Sequence, residues 1–424
     1  MASPTDKTIG IANEPLSRVV NLVRSNRATT RIELSNATGL GRAVIRQRVA
    51  HAIELGLIEE NGQGESTGGR TPRLLRFRND AGLLAIVNLD TDRLRLAISD
   101  IGGRQLAETR HPWDISRPPQ EALEQMVSGI RLLLNHKDVP KIGLWGVCVS
   151  VPGPVQFSTG RPVSPPIMPG WNMADIRGYL EPILKAPVWV DNDVNILALA
   201  EQASRHGAAA QNLVYIRVDS GVGAGIISGG ELQRGADGAA GDIGHVAITD
   251  SQTRCRCGKI GCLEASVGEW ALLQNATRAA RSGESPRLAS TLQSEGCLTA
   301  MDLRQAAEAG DPYMTHAFDI AAKTLGTSLA SIINILNPKL VVVGGEHLPA
   351  GGSYIAQVRE AVYRRSLPLA TRNLVIETAS STVTHSHTGA AALITQQLFG
   401  QDVNGWIDEG NPAPYFLNKH AQRH

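Results

Sequence analysis

Three cysteines fall in one short run. Cys255, Cys257 and Cys262 have C-x-C-x4-C spacing, and His245 lies ten residues before the first of them. Thiolates and a neutral imidazole are donors that tetrahedral zinc accepts, and three cysteines with one histidine fill all four positions. The spacing therefore predicts a structural Zn2+ held by His245, Cys255, Cys257 and Cys262, with no open place for an activated water. Gly258 and Gly261 allow a tight loop around the metal. An odd, clustered set of thiols argues for metal over disulfides. Cys148 and Cys297 are then plain thiols.

A second chemistry sits near the N-terminus. Arg42, Ala43, Arg46 and Gln47 follow one another closely, and Arg70 follows Gly68-Gly69. Arginine and glutamine can make paired hydrogen bonds to base edges in the major groove. An arginine beside glycines can approach the minor groove.

Those side chains need elements to present them. Leu16, Val19, Val20 and Val23 mark one face of a first helix. Thr30 and Glu33 are spaced as a capping box that opens a second, which ends at Gly39. A third helix runs from about Arg42 to Leu55, with Ile45, Val49 and Ala52 as its buried stripe. Arg42, Ala43, Arg46 and Gln47 then fall near its N-terminal end, outside the buried stripe. Two short strands around a glycine-rich tip follow, which reads as a wing. Residues 14–78 are thus predicted to be a winged helix-turn-helix that binds double-stranded operator DNA. Charge agrees: residues 1–78 hold twelve Lys/Arg against seven Asp/Glu, while the whole chain nets only +1.

After residue 83 the pattern changes. Leu83–Leu89 and Leu94–Ser99 read as a hairpin, Gln120–Asn135 as an amphipathic helix, and Ile142–Val149 as a buried strand. Val188–Val190 leads into Asp191-Asn192-Asp193 and a helix through Ala203, and a second strand series opens at Leu213. This order predicts two related α/β lobes around a cleft.

Four segments give the lobes a family likeness: Val151-Pro152-Gly153-Pro154-Val155, Asp191-Asn192-Asp193-Val194-Asn195, Gly241-Asp242-Ile243-Gly244-His245, and the cysteine run through Leu263-Glu264. With them, residues 84–400 resemble the ROK family of repressors, open reading frames and sugar kinases, and most of all its sugar-responsive regulators. The resemblance implies an actin-like ATPase (ribonuclease H-like) fold. It implies an effector pocket in which Gly153, Asn192 and Asp193 face Asp242, His245 and Glu264 across a sugar. The family usually has Glu where this chain has Asp242, so the reach to the sugar changes by one methylene.

The family's kinases open with Asp-x-Gly-Gly-Thr, whose glycines let backbone amides approach the ATP phosphates. The matching stretch here is Asn88-Leu89-Asp90-Thr91-Asp92, and the second phosphate loop reads Asp219-Ser220-Gly221. Carboxylates stand where phosphates would lie, and like charges about 4 Å apart cost about 1 kcal/mol even in water. The expectation is a repressor released by a sugar or oligosaccharide, without kinase activity, Asp193 binding rather than catalysing. An active kinase with a DNA-binding appendage, and a sensor of a partner protein, are the rival readings.

Composition fits an ordinary globular protein, with 42% hydrophobic and 19% charged residues. No apolar run reaches the ~20 residues needed to span a bilayer. The polar N-terminus predicts a cytoplasmic protein. Paired half-sites predict a homodimer or homotetramer. Residues 401–424, with Asn411-Pro412-Ala413-Pro414, are expected to be a polar tail with little structure.

Overall fold

A computed structural model describes residues 4–63, 73–205, 207–248, 251–346, 348–349, 352–379 and 382–422. The head is α1 (Pro4–Arg24), α2 (Arg31–Thr38), α3 (Arg42–Glu54) and the antiparallel pair β1 (Ile58–Gln63) and β2 (Arg73–Phe77). The capping box forms: the Thr30 hydroxyl accepts from Glu33 N–H, and the Glu33 carboxylate accepts from Thr30 N–H. Gly39 ends α2 in a left-handed conformation. Leu16, Val19, Val20 and Val23 meet Ile45, Val49 and Ala52 in one core. The tip that carries Arg70 lies outside the described residues.

The first lobe holds β3 (Leu83–Leu89), β4 (Arg93–Asp100), β5 (Gln105–Pro112), α4 (Pro119–Leu134), β6 (Leu144–Val151), the short pair β7 (Val155–Gln156) and β8 (Arg161–Pro162), α5 (Ile176–Leu184) and β9 (Val188–Asn192). Helix α6 (Asp193–Ala203) leaves it, and α7 (Ala208–Gln211) leads into the second lobe. There β10 (Leu213–Val218), β11 (Val222–Ser228) and β12 (Glu231–Leu232) precede α8 (Glu264–Val267), α9 (Glu269–Ser282), α10 (Pro286–Glu295), α11 (Ala300–Glu308) and α12 (Pro312–Leu336). Then come β13 (Leu340–Gly344), α13 (Ser353–Arg365), α14 (Pro368–Thr371), β14 (Val375–Thr378) and α15 (Thr382–Phe399).

The two sheets repeat one plan. Their orders are β5-β4-β3-β6-β9 and β12-β11-β10-β13-β14. In each, the first strand of the lobe is central, antiparallel to its hairpin partner and parallel to the next crossover strand. Central strands read as near-continuous apolar runs because both faces are covered. Helix α6 leaves the first lobe and packs on β10 and β11 of the second, while α15 leaves the second and packs on β3 and β6 of the first. The two helices pack on each other, so each sheet is covered partly by the other lobe's helix. Among the described residues no helix is long and apolar enough to cross a membrane.

The C-terminal segment departs from expectation. It folds: single turns at Val403–Gly405 and Ile407–Glu409 precede α16 (Ala413–Ala421). Trp406 is fully buried, its indole N–H donating to Leu398 C=O (2.7 Å). Its ring meets Trp145 and Phe399 edge-on, at 5.6 and 5.2 Å between centroids. Phe416 meets Trp189, and His420 Nδ1 pairs with the Glu181 carboxylate at 2.6 Å. Polar composition misled the expectation. A few spaced aromatics suffice to dock a segment when apolar partners wait on the sheet's back. The prolines do not oppose the helix either, since Pro lies in its first turn, where no N–H is needed.

Candidate functional site

The cleft between the lobes is built from strand ends and tight turns. Asn192 ends β9 and caps α6: its side-chain oxygen accepts from Val194 N–H (2.8 Å), and its amide donates to Gly153 C=O (2.7 Å). Asp193 is the first residue of α6 and faces the same space. Opposite, Gly241 holds φ 95°, and a Cβ there would lie 1.8 Å from Ala224 C=O. That strain and clash leave only glycine, which brings the Asp242–His245 turn against β11. The cleft encloses about 770 Å³ of space, part of it open to solvent. All six residues expected around a sugar line it: Gly153, Asn192, Asp193, Asp242, His245 and Glu264.

These six are not equally available. Asp242 is 47% exposed at the rim, with His245 Nε2 at 3.9 Å. Glu264 is buried; its carboxylate accepts from Val222 N–H (3.2 Å) and from the Trp270 indole N–H (3.3 Å). Arg256 stacks over Trp270 at 4.8 Å. Asp193 is pushed up to about 6, chiefly by burial, which outweighs the pull of Arg217; Asp90 and Asp219 push the same way as burial.

Behind the cleft wall, His245, Cys255, Cys257 and Cys262 converge, with all four donor atoms within 4.8 Å of one another. Cys257 and Cys262 sulfurs are 3.7 Å apart, as are Cys255 sulfur and His245 Nδ1. A tetrahedron with metal–sulfur bonds of about 2.3 Å has sulfur–sulfur edges of about 3.8 Å, so the donor set fits zinc. Gly258 and Gly261 both take left-handed backbone, at φ 90° and 80°. His245 turns Nδ1 to the thiols, which leaves Nε2 on the Asp242 side, at the cleft.

Arg217 is the residue that sequence reasoning missed. It lies one residue before the end of β10, on the wall of the cleft, and is 17% exposed. Its Nε donates to Asp219 (2.7 Å), one terminal nitrogen to Asp193, and the other to Asp90 (3.3 Å). A lone arginine in a strand carries no motif, and only the fold brings the distant Asp90 and Asp193 to it beside its near neighbour Asp219. A second inter-lobe clasp, Arg234 on Asp191 (2.7 Å), was equally silent. The Asp191 partner Asn195 (2.8 Å) sits one helical turn on.

On the far side of Arg217 lies a crevice of about 1200 Å³ whose walls include Asp90, Asp92, Asp219, Glu269 and Glu346, with Arg93 and Arg217 as its cations. Asp219 bonds two ways: Arg217 holds one oxygen, and Glu346 N–H donates to the other (2.8 Å). Asn88 accepts from the Ser150 hydroxyl (2.8 Å).

In the head, Arg42, Ala43, Arg46 and Gln47 are exposed on α3. Val44, not singled out from the sequence, is exposed beside them. Among the described residues Arg42 and Arg46 form no ion pair, whereas Glu60 engages Arg31 and Arg73 across the wing.

Two actin-like α/β lobes behind a winged helical head, with a cleft between the lobes, define the class of protein. The ROK family profile matches residues 86–397, and the chain belongs to that family. A xylose repressor of Caldicellulosiruptor bescii is 29% identical over 359 residues, covering 85% of this chain and 90% of the relative. A glucokinase of Halalkalibacterium halodurans is 34% identical over 249 residues, covering 58% of this chain and 73% of the relative. The crystal structure of a ROK family transcriptional regulator, a homologue of the E. coli Mlc protein, matches at a TM-score of 0.79 and 24% identity, over 97% of this chain and 100% of that one.

Proposed function

We propose that this chain is a DNA-binding transcriptional repressor whose cleft binds a sugar or oligosaccharide effector, with a structural Zn2+ on the four-residue cluster, and that it transfers no phosphate. The xylose repressor and the regulator structure span head and lobes together, which favours a regulator. One observation supports the non-catalytic part: at the expected phosphate end, Asp90 and Asp219 are already paired within the chain, beside a crevice lined by five carboxylates. Asp219 takes the backbone N–H of Glu346, and Arg217 is held by Asp193, Asp219 and Asp90. Phosphoryl transfer depends on positioning and charge neutralisation, and the five carboxylates of the crevice supply the wrong sign.

An active sugar kinase with a DNA-binding head is the second reading. The glucokinase likeness favours it, and so does Asp193, whose carboxyl near 6 suits a general base. Two measurements separate the readings. Titration calorimetry with D-xylose, D-glucose and oligosaccharides yields saturable binding to one of them, and Asp193→Ala weakens it by about tenfold or more, near 1.4 kcal/mol. ATP with the same sugars yields no phosphorylated product; turnover of about 1 per second or faster would establish the kinase instead.

The α3 face reads operator bases. Gln47→Ala removes a paired contact worth about 1 to 3 kcal/mol and relaxes base preference at one position. Arg46→Ala removes a second paired base contact, costs about 1 to 3 kcal/mol and relaxes base preference at its own position. Binding assays at several salt concentrations, on duplexes selected from a random pool, check both. The reader acts in pairs, as a homodimer or homotetramer. A monomer by light scattering that still binds its operator tightly would contradict this.

A further inference from the structure

We propose that Arg217 is a positioning residue of the effector site, an internal cation that fixes the Asp193 carboxylate as the acceptor for a sugar hydroxyl and clamps the two lobes together at the floor of the cleft. The proposal rests on the sugar-binding reading and adds to it the residue that sets the state of the site.

Its geometry is specific. Arg217 extends from the second lobe's central strand. Asp90 and Asp193 belong to the first lobe, at the ends of β3 and β9, while Asp219 closes the turn after β10. A guanidinium presents its donors in a rigid planar fork, so one arginine can hold carboxylates on several edges, which a lysine cannot match. Here Nε and both terminal nitrogens each meet a different carboxylate. The same side chain forms part of the wall of the sugar cleft and of the acidic crevice behind it. It therefore divides the two spaces, and it does so with a charge that cannot leave.

Three carboxylates around one cation leave a negative excess in a partly dry site. Asp193 is the one whose charge is hardest to keep, because burial raises it and its two acidic neighbours raise it further. Arg217 is the strongest influence in the opposite direction. The other charged groups around Asp193 are Arg95 and Glu346, which share the small cavity beside it, and Asp242, His245 and Glu264 across the cleft. Among the described residues Arg95 is buried with a distant pair to Glu346 (3.7 Å), so it replaces little of what Arg217 supplies. An ionised carboxylate accepts a hydroxyl hydrogen bond more strongly than a protonated one. Sugar affinity should thus fall as pH drops through about 6, where Asp193 takes up its proton.

The experiment uses the full chain with Arg217→Met and Arg217→Lys. Met keeps length and removes charge; Lys keeps charge and removes the fork. Calorimetry with D-xylose and D-glucose runs from about pH 5 to about pH 8. Arg217→Met should shift the affinity midpoint upward by about one pH unit or more and weaken binding at neutral pH about tenfold. Arg217→Lys should restore the midpoint more than the affinity. A purely structural role would lower affinity equally at every pH. In parallel, small-angle scattering without sugar reads the clamp: Arg217→Met should open the lobes and raise the radius of gyration, while far-UV circular dichroism stays unchanged. An affinity profile that matches the wild type overturns the positioning role, and unchanged scattering overturns the clamp. If the wild type binds neither sugar nor any oligosaccharide tried, the sugar reading itself fails and the effector role goes with it, while scattering still decides the clamp.

Discussion

Cys262→Ser should empty the metal cluster and, with it, sharply weaken sugar binding. Zinc bound by a structural site of this donor type contributes apparent free energies of about 10 to 16 kcal/mol near neutral pH in small zinc peptides. Here most of the second lobe has its own core, so the loss should be confined to the loop from Asp242 to Glu264. That loop carries three cleft residues. His245 is oriented by the cluster through Nδ1, and Glu264 follows Cys262 by two residues and reaches Val222 from there. Removing the metal frees both, and a fall in sugar affinity of about 100-fold or more is expected, at the upper end of what disturbed metal shells cost. Chelation of the wild type should do the same, release about one zinc per chain, and lower the melting temperature. Metal retention should fall as pH falls, because protons compete for thiolates and imidazole. Cys297→Ser, at an exposed thiol remote from the cluster, serves as the control and should change nothing. Wild-type sugar affinity in the chelated protein would remove the cluster from the effector site.

What could be read in advance follows a physical divide. The cysteine and histidine cluster was legible from short-range spacing, whereas the six cleft residues came with the family resemblance carried by four short segments, and the fold brings those six to one cleft. The head, like the cluster, was legible from short-range spacing, since Thr30 and Glu33 advertise a helix start and Ile45, Val49 and Ala52 keep one face. Arg217 was not. Its partners lie 127, 24 and 2 residues away, and only closure of two sheets against each other brings the first two near. Asp90 and Asp219 therefore looked like bare acids where phosphate should sit, when each is in fact paired. The proposal that no phosphate is transferred therefore draws on those pairings as well as on the sign of the charge. The C-terminal segment escaped for a related reason. Trp406 and Phe416 have no periodicity of their own, and their partners Trp145 and Trp189 sit on strands whose apolar runs predict burial without saying under what.

That segment also joins the head to the first lobe, which makes Trp406→Ala the most informative change outside the cleft. Helix α1 packs on the Val403–Gly405 turn. Phe77 of the wing meets Phe399 edge-on at 5.4 Å, Asn21 donates to Phe399 C=O (3.0 Å), and Arg24 stacks over the same ring. Trp406 stands between these contacts and Trp145 on β6, which places it to carry a shift of the lobe to the head. Truncating a fully buried tryptophan costs about 3 to 5 kcal/mol, and the melting temperature should fall accordingly. The cleft is remote from this ring, so sugar affinity should hold. DNA binding should also hold, because α3 keeps its own core. What should vanish is the link between them. Coupling of about 1 to 3 kcal/mol changes affinity about 5-fold to 150-fold, so the ratio of operator dissociation constants with and without sugar reads it directly. That ratio should drop to about one in Trp406→Ala and stay near the wild-type value in Trp406→Phe, which keeps an aromatic edge against Trp145. Should Trp406→Ala keep the wild-type ratio, the signal must pass by another route, and residues 78–83 would be the only covalent one left.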